Sequence, residues 1–182
     1  MKERQYKEDW IYEIRIDEKG KEKQVPVYRG PVFEYAPGQE KRKMLLLASL
    51  PWVLYVVLLI LYFRLDFPGC RILYIFLPAA LGIFPGLYWV IGIWGFFRAP
   101  RKMTRIQKET GTGRVLRSAA ACTVCSCAAL IGEIVFLLTG GEFSMEWPGT
   151  LMLAGCAACA AGTAYVFRNA YNHLSETRRA KP

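Results

Sequence analysis

Four long apolar stretches dominate the pattern of hydrophobic and polar positions along the chain. They cover residues 44–63, 72–97, 118–138 and 148–167, and Glu133 is the one charged residue inside them. A helix needs about 20 apolar residues to cross the hydrocarbon core of a bilayer, and buried helices of water-soluble domains seldom reach that length without a polar face. The pattern therefore predicts an all-α membrane protein whose four transmembrane helices form two antiparallel hairpins.

A different pattern precedes the first apolar stretch. Between residues 10 and 16, apolar side chains alternate with other residues, which is the period of a half-buried β-strand. The apolar members are Trp10, Tyr12, Ile14 and Ile16. A polar turn at 17–21 and a second strand at 24–28 complete a predicted N-terminal β-hairpin, and residues 32–35 suggest a third short strand.

The predicted strands at 10–35 form a small N-terminal head that needs a cover for its apolar face, because a two- or three-stranded sheet is marginally stable alone. The loop at 98–117 is one candidate, with a predicted interfacial helix at 103–109 and a plain turn at 111–113. Lipid headgroups are the second. A membrane or cytoplasmic protein partner that adds strands to residues 10–35 is the third, and the first two are favoured over it.

The positively charged residues divide between the two sides of the predicted bundle. Of the 24 Lys and Arg residues, eleven lie in 1–43, seven in 98–117 and four in 168–182, against two in 64–71 and none in 139–147. Lys and Arg accumulate in the cytoplasmic segments of membrane proteins. The N-terminus, the C-terminus and the 98–117 loop are therefore expected in the cytoplasm, as in a multi-pass protein of the cell membrane.

This distribution also explains the net charge of +9. Basic proteins often bind nucleic acid, but here the excess lies beside membrane ends, where anionic lipid accounts for it. The lipid bilayer is the expected partner, and nucleic acid is not. The chain then divides into a head with a basic linker (1–43), a four-helix membrane domain (44–167) and a basic cytoplasmic tail (168–182).

Two Cys-x-x-Cys patterns lie within the third and fourth apolar stretches, Cys122 with Cys125 and Cys156 with Cys159. The rise of a helix places all four residues at one predicted depth, so an antiparallel pair would bring the four sulfurs together. Four thiolates suit zinc or Cu(I), and two pairs can exchange a disulfide. The cost of desolvating thiolates and the surrounding Ala, Gly and Ser residues favour simple packing instead, so no cofactor is expected.

Glu133 is the candidate polar site within the spans, because intramembrane carboxylates often mark ion or proton pathways. It precedes Leu138 by five residues, which places it about 7–8 Å below the outer edge by helical rise. From that depth it would reach interfacial water, and a structural or interfacial role is favoured over transport. In the second stretch, a kink is predicted near Pro85. Trp89 and Trp94 toward the cytoplasmic end of that stretch, and Trp147 at the outer start of the fourth, are assigned to an aromatic belt.

Small residues recur at every fourth position of the fourth stretch, namely Ala154, Ala158 and Gly162. Such spacing lets two helices approach closely. We expect much of this small surface to be buried between the third and fourth helices. The remainder would face a second copy of the chain, which predicts a homodimer through these two helices.

The sequence contains no recognisable arrangement of catalytic residues, and its single histidine, His173, is expected on a solvated helical extension of the tail. The favoured function is therefore a non-enzymatic scaffold or accessory subunit of a membrane assembly. Two alternatives stay open. One is a small oligomeric transporter or channel that uses Glu133 and the kinked second helix, and the other is an intramembrane thiol site for a soft metal or disulfide exchange.

The charge distribution makes a direct prediction about topology. A fluorescent protein fused after Pro182 should fluoresce, because that reporter matures in the cytoplasm. Alkaline phosphatase fused after Gly140 should be active, because it folds only outside the cytoplasm. The opposite pair of activities would contradict the orientation derived from the Lys and Arg counts.

Overall fold

A computed structural model describes residues 9–16, 22–34, 41–100, 102–140, 143–172 and 175–177. Four of its helices are long and apolar enough to cross a membrane, Lys41–Arg64, Leu73–Arg98, Arg105–Leu138 and Glu146–Asn172. The predicted number of long apolar helices is thereby confirmed. The predicted turn at 17–21 and the residue His173 lie outside the described residues.

All helical elements belong to these four spans or to the turns between them. In chain order they are α1 (Lys41–Arg64), a 3₁₀ turn (Pro68–Arg71), α2 (Leu73–Leu81), α3 (Ile83–Arg98), α4 (Arg105–Lys108), a π-helical turn (Glu109–Gly113), α5 (Arg114–Leu138) and α6 (Phe143–Asn172). The strands are β1 (Trp10–Ile16), β2 (Glu22–Tyr28), β3 (Val32–Glu34), β4 (Lys102–Met103) and β5 (Ser175–Thr177).

Helix α5 lies at the centre of the packing. It contacts α6 most extensively and also packs on α2 and α3, while α1 packs on α6 and α3. Lys41, at the start of α1, donates to the Phe97 carbonyl oxygen (2.8 Å) and to the carbonyl oxygen of Ala99. The start of α1 and the end of α3 therefore lie at the same end of the bundle, and the first two spans run antiparallel.

The second span is interrupted at Gly82, three residues before the predicted kink at Pro85. Pro85 has no backbone N–H, so the Leu81 carbonyl loses its usual helical partner. Two neighbouring helices donate to the Gly82 carbonyl oxygen, α1 through the Tyr55 hydroxyl (3.4 Å) and α5 through the Cys122 thiol (3.8 Å). The Gly82 carbonyl oxygen also accepts from the Gly86 N–H (3.1 Å), so the break is connected to both neighbouring helices.

The third and fourth helices are longer than their apolar stretches predicted. The third begins at Arg105 and is capped by Thr104, whose hydroxyl accepts from the Gln107 N–H (3.4 Å) while the Gln107 side chain accepts from the Thr104 N–H (3.0 Å). The plain turn predicted at 111–113 is wrong, because these residues are buried in the π-helical turn. Helix α6 begins at Phe143. Hydropathy misses such extensions, since polar residues continue a helix beyond its apolar part.

Trp89 does not join an aromatic belt. Its side chain is fully buried, with its ring centroid 6.1 Å from that of Tyr55. Trp94, further along the same helix, is exposed, and the Arg98 guanidinium lies 4.6 Å from its ring centroid. The prediction from sequence position alone failed for Trp89, because position along a helix does not say which face is turned inward.

The strands form two separate sheets. β1 and β2 make the predicted hairpin, with Trp10 opposite Tyr28 and their rings 5.3 Å apart in an edge-on contact. β3 forms where the third strand was predicted, but it lies between β4 and β5 in an antiparallel three-stranded sheet. Helix α6 extends into the tail as far as Asn172, and the tail then supplies β5, which pairs with one edge of β3.

The close crossing of α3 and α5 predicts that a side chain at Gly92 destabilises the fold. A Cβ added at Gly92 would lie 2.9 Å from the backbone nitrogen of Val115, so Gly92→Ala must push the two helices apart. We expect a loss of about 1–3 kcal/mol in unfolding free energy, measured by denaturant unfolding in detergent. The control is Gly162→Ala, because a Cβ at Gly162 meets nothing within 4 Å. Equal effects of both changes would contradict the close crossing.

Candidate functional site

Glu133 lies inside the bundle, although its distance from Leu138 along the helix predicted that it would reach interfacial water. Its side chain is fully buried, and its Oε2 accepts a hydrogen bond from the Tyr62 hydroxyl (3.2 Å). The 3₁₀ turn covers the carboxyl group so closely that a Cβ at Gly69 would lie 2.5 Å from Oε2. A side chain at this position would therefore have to displace the carboxyl group.

Glu146 is the second buried carboxyl group, and sequence analysis missed it by assigning it to the outer loop. It lies in the first turn of α6, is fully buried, and its Oε1 accepts from the Gly69 N–H (2.9 Å). One signal was present, because Pro148 follows it by two residues. Proline and acidic residues are both favoured in the first turn of a helix, so the sequence permits an earlier start for α6.

The two carboxyl groups, Glu133 from α5 and Glu146 from α6, meet at Gly69, which donates its N–H to Glu146 and lies against the Glu133 carboxyl group. They are close enough to interact electrostatically. Each keeps one oxygen without another partner among the described residues, Oε1 of Glu133 and Oε2 of Glu146. Two buried carboxylates in contact repel strongly unless a proton or a cation lies between them. A proton shared by the pair would give both groups a partner and remove that repulsion.

Arg71, the basic residue at the end of the 3₁₀ turn, does not neutralise the pair. Arg71 forms an exposed ion pair with Asp66 (2.6 Å), and its guanidinium holds the pKa of the Asp66 carboxyl below the usual value. Within the described part of the chain, no Lys or Arg forms an ion pair with Glu133 or Glu146. Among the described residues, the carboxyl pair is therefore not compensated by a basic side chain.

Cys70 borders the site on the 3₁₀ turn. Its thiol donates to the Tyr62 carbonyl oxygen (3.3 Å), and burial raises the pKa of the Cys70 thiol. The thiolate form is the reactive one. This thiol is consequently a weak nucleophile, and the surroundings of the carboxyl pair favour protonated groups.

The predicted cluster of four sulfurs is not assembled. Cys122 and Cys156 are buried, and the Cys156 thiol approaches the Tyr55 carbonyl oxygen (3.6 Å), whereas Cys125 and Cys159 are partly exposed. In the residues that the structure describes, no three His, Cys, Asp or Glu side chains are placed to hold a metal ion. The buried thiols serve as small packing groups and weak donors, because only one member of each Cys-x-x-Cys pair is turned inward.

The small residues of α6 are divided between the inside and the outside of the bundle. Ala158 and Gly162 are exposed, and Ala154 is partly exposed. Gly155 is directed at α1, where a Cβ would lie 2.8 Å from the Leu58 side chain. The exposed part is the surface for which a second copy of the chain was expected, and that contact stays a prediction.

Comparison with known proteins gives no match, since no protein family, no curated protein and no solved structure is significantly similar to this chain. The function must therefore be argued from the residues of this protein.

The carboxyl pair predicts a pH dependence of stability. A proton shared by the buried pair is one that the unfolded chain releases in the usual pH range of a glutamate carboxyl group. As the pH rises through and above that range, the unfolding temperature of the native protein in detergent should therefore fall. Glu133→Gln supplies an amide donor in place of that proton and should flatten the profile. Between low and high pH, the unfolding temperature of the native protein should fall by several degrees more than that of Glu133→Gln. About 1 kcal/mol shifts the unfolding midpoint of a protein of this size by about 2–4 °C.

The matched control for this measurement is Asp66→Asn, which removes an exposed carboxylate beside the site. Exposed ion pairs contribute little to stability, so this variant should retain the native pH profile. Superimposable profiles for the native protein and Glu133→Gln would show that the two buried carboxyl groups do not share a proton.

Proposed function

We propose that the protein is a non-enzymatic scaffold or accessory subunit of a membrane assembly, with four spans in the cell membrane and both termini in the cytoplasm. The observation that carries this proposal is the β1–β2 hairpin, which presents exposed apolar side chains on one face. Tyr12 is 67% exposed and Ile14 is 63% exposed. Exposed apolar surface of this kind marks interaction sites.

The pairing of the hairpin supports the same function. Among the described residues, β1 pairs only with β2, and the two strands form a sheet of their own. The outer edge of each strand is therefore open, and a partner can add a strand to such an edge through main-chain hydrogen bonds. A two-stranded hairpin is marginal alone, so binding would stabilise it.

The hairpin is connected to the helices, which suits a scaffold. The Tyr28 hydroxyl accepts a hydrogen bond from the Arg105 N–H (3.2 Å) at the start of α4. The Lys108 ammonium, one turn further, lies 4.3 Å from the Phe33 ring centroid and 4.2 Å from that of Tyr171. These contacts hold the strands against α4 and the end of α6, so a partner bound to the hairpin would be tethered to the bundle.

The outer surface of the helices supports the membrane location. Large apolar side chains on all four spans are more than half exposed, among them Leu50 (69%), Leu73 (71%), Val124 (69%) and Leu151 (59%). Hydrocarbon would cover these side chains, whereas water would not tolerate so large an apolar surface. The exposed small residues Ala158 and Gly162 offer a close contact for a second copy of the chain.

Proton-linked transport is the second candidate function, favoured by the buried carboxyl pair of Glu133 and Glu146. Intramembrane carboxyl groups commonly carry protons. Both side chains are fully buried, so a transport cycle would have to open the turn at Pro68–Arg71. Proton uptake into proteoliposomes that Glu133→Gln abolishes would favour this function over the accessory role.

The accessory role predicts a partner that depends on the hairpin. Tagged protein purified in mild detergent from its native membrane should retain a stoichiometric partner, identified by mass spectrometry. The double change Tyr12→Ser with Ile14→Ser should reduce its recovery about tenfold or more, because apolar anchors at an interface commonly contribute over 1 kcal/mol each. Recovery is quantified against the tagged chain.

The control is Ile11→Ser, which alters the other face of β1 and should leave recovery unchanged. Ile11 is exposed and lies opposite Val27 in the hairpin. Purification of the chain without any partner, or equal losses in both variants, would contradict the role assigned to the exposed face.

A further inference from the structure

A groove of about 880 Å³ lies on the outside of the bundle, between α3, α4 and the beginning of α5. Its volume is in the range of small-molecule sites. One part of its lining is apolar and another part is charged. The apolar lining includes Phe84, Leu87, Tyr88, Ile91, Ile106 and Ala121.

The apolar wall is uncovered by the rest of the protein. Phe84 is 68% exposed, and Leu87 and Tyr88 are 58% and 59% exposed. These residues belong to the second span. In a bilayer they would face lipid, so the groove opens sideways toward the acyl chains.

The charged part of the groove lies where α5 leaves its apolar stretch. Arg114 and Arg117 line it, and Ser118, the first residue of the apolar stretch, follows them directly. With the proposed membrane location, both guanidinium groups would lie at the level of the lipid headgroups. The groove therefore joins an apolar wall in the hydrocarbon to basic side chains at the interface.

The local charge of this part is positive. The Arg114 guanidinium lies 5.6 Å from the Tyr88 ring centroid, and no carboxylate pairs with it among the described residues. Arg117 pairs with the Glu109 carboxylate at 3.4 Å, but its own side chain is 63% exposed. Two arginines against one carboxylate leave one net positive charge beside the apolar wall.

We propose that this groove binds one anionic phospholipid, with its phosphate at Arg114 and Arg117 and an acyl chain along α3. Guanidinium groups bind phosphate oxygens through paired N–H donors, and the exposed rings of Phe84 and Tyr88 would cover the chain. The proposal rests on the membrane location in the proposed function and not on the accessory role. A lipid bound there would also contact α4, which carries the strands through Arg105 and Lys108.

Native mass spectrometry of the purified protein with added phosphatidylglycerol or phosphatidylcholine tests this proposal. The native chain should retain one phosphatidylglycerol molecule in preference to phosphatidylcholine. Arg114→Gln should weaken that retention about fivefold, the ratio expected for the loss of one basic contact to an anionic headgroup. Ala121→Trp fills the apolar part from an exposed position and should reduce the retention of both lipids.

The matched control is Arg98→Gln, which removes an exposed basic residue of α3 outside the groove. It should leave retention unchanged. A loss as large as that of Arg114→Gln would overturn the proposal in favour of diffuse attraction to the basic surface. Equal retention of the two lipids by the native chain would also overturn it, because the groove would then show no preference for an anionic headgroup.

Alkaline extraction of native membranes distinguishes a failure of the lipid-binding proposal from a failure of the proposed membrane location. A chain that stays in the membrane but shows no lipid preference would refute the groove alone. A chain that alkali removes from the membrane would refute both.

Discussion

The fold depends on how closely α5 approaches its neighbours, and glycines make that approach possible. A side chain at Gly92 would collide with the backbone of Val115, and one at Gly132 would press on Tyr74 in α2. At such distances the helices gain dense packing without large side chains between them. The same approach brings the 3₁₀ turn over the end of α5, where Gly69 lies on the Glu133 carboxyl group. The carboxyl pair and the lipid groove both lie along this central helix.

The two ends of the bundle are held together by different interactions. At one end, buried polar groups connect four elements, because Gly69 of the 3₁₀ turn donates to Glu146 of α6 and Tyr62 of α1 donates to Glu133 of α5. Buried polar groups of this kind are costly when any member loses its partner, so they specify a single arrangement of the turn. At the other end, β3 joins strands from two distant parts of the chain, and the Lys108 ammonium lies over aromatic rings from two elements. That end offers exposed edges and charge, which suits recognition.

Local sequence determines the four long helices and the hairpin, because each has a periodicity or a length that few other structures share. Hydropathy could not place Glu146, since it assigns charged residues to loops, whereas the Gly69 N–H of the 3₁₀ turn gives this carboxyl group a buried partner. The spacing of Cys122 and Cys125 could not say which of them faces inward, because that depends on the rotation of α5 against α1 and α6. The buried turn around Gly111 was missed for a similar reason. Its backbone lies against Phe96 of α3, a contact that no local pattern encodes.

The two candidate functions place opposite demands on the turn at Pro68–Arg71. An accessory subunit needs the turn closed. The turn joins the first two spans, and its Gly69–Glu146 hydrogen bond holds them against the last two. Transport needs it open, and opening would break the Gly69–Glu146 hydrogen bond and separate the buried carboxyl groups. A buried polar group that loses its partner costs about 1–3 kcal/mol, so opening requires water or an ion to replace each contact. The closed turn, with glycine fitted against the carboxyl group, therefore favours a static frame that carries the exposed hairpin.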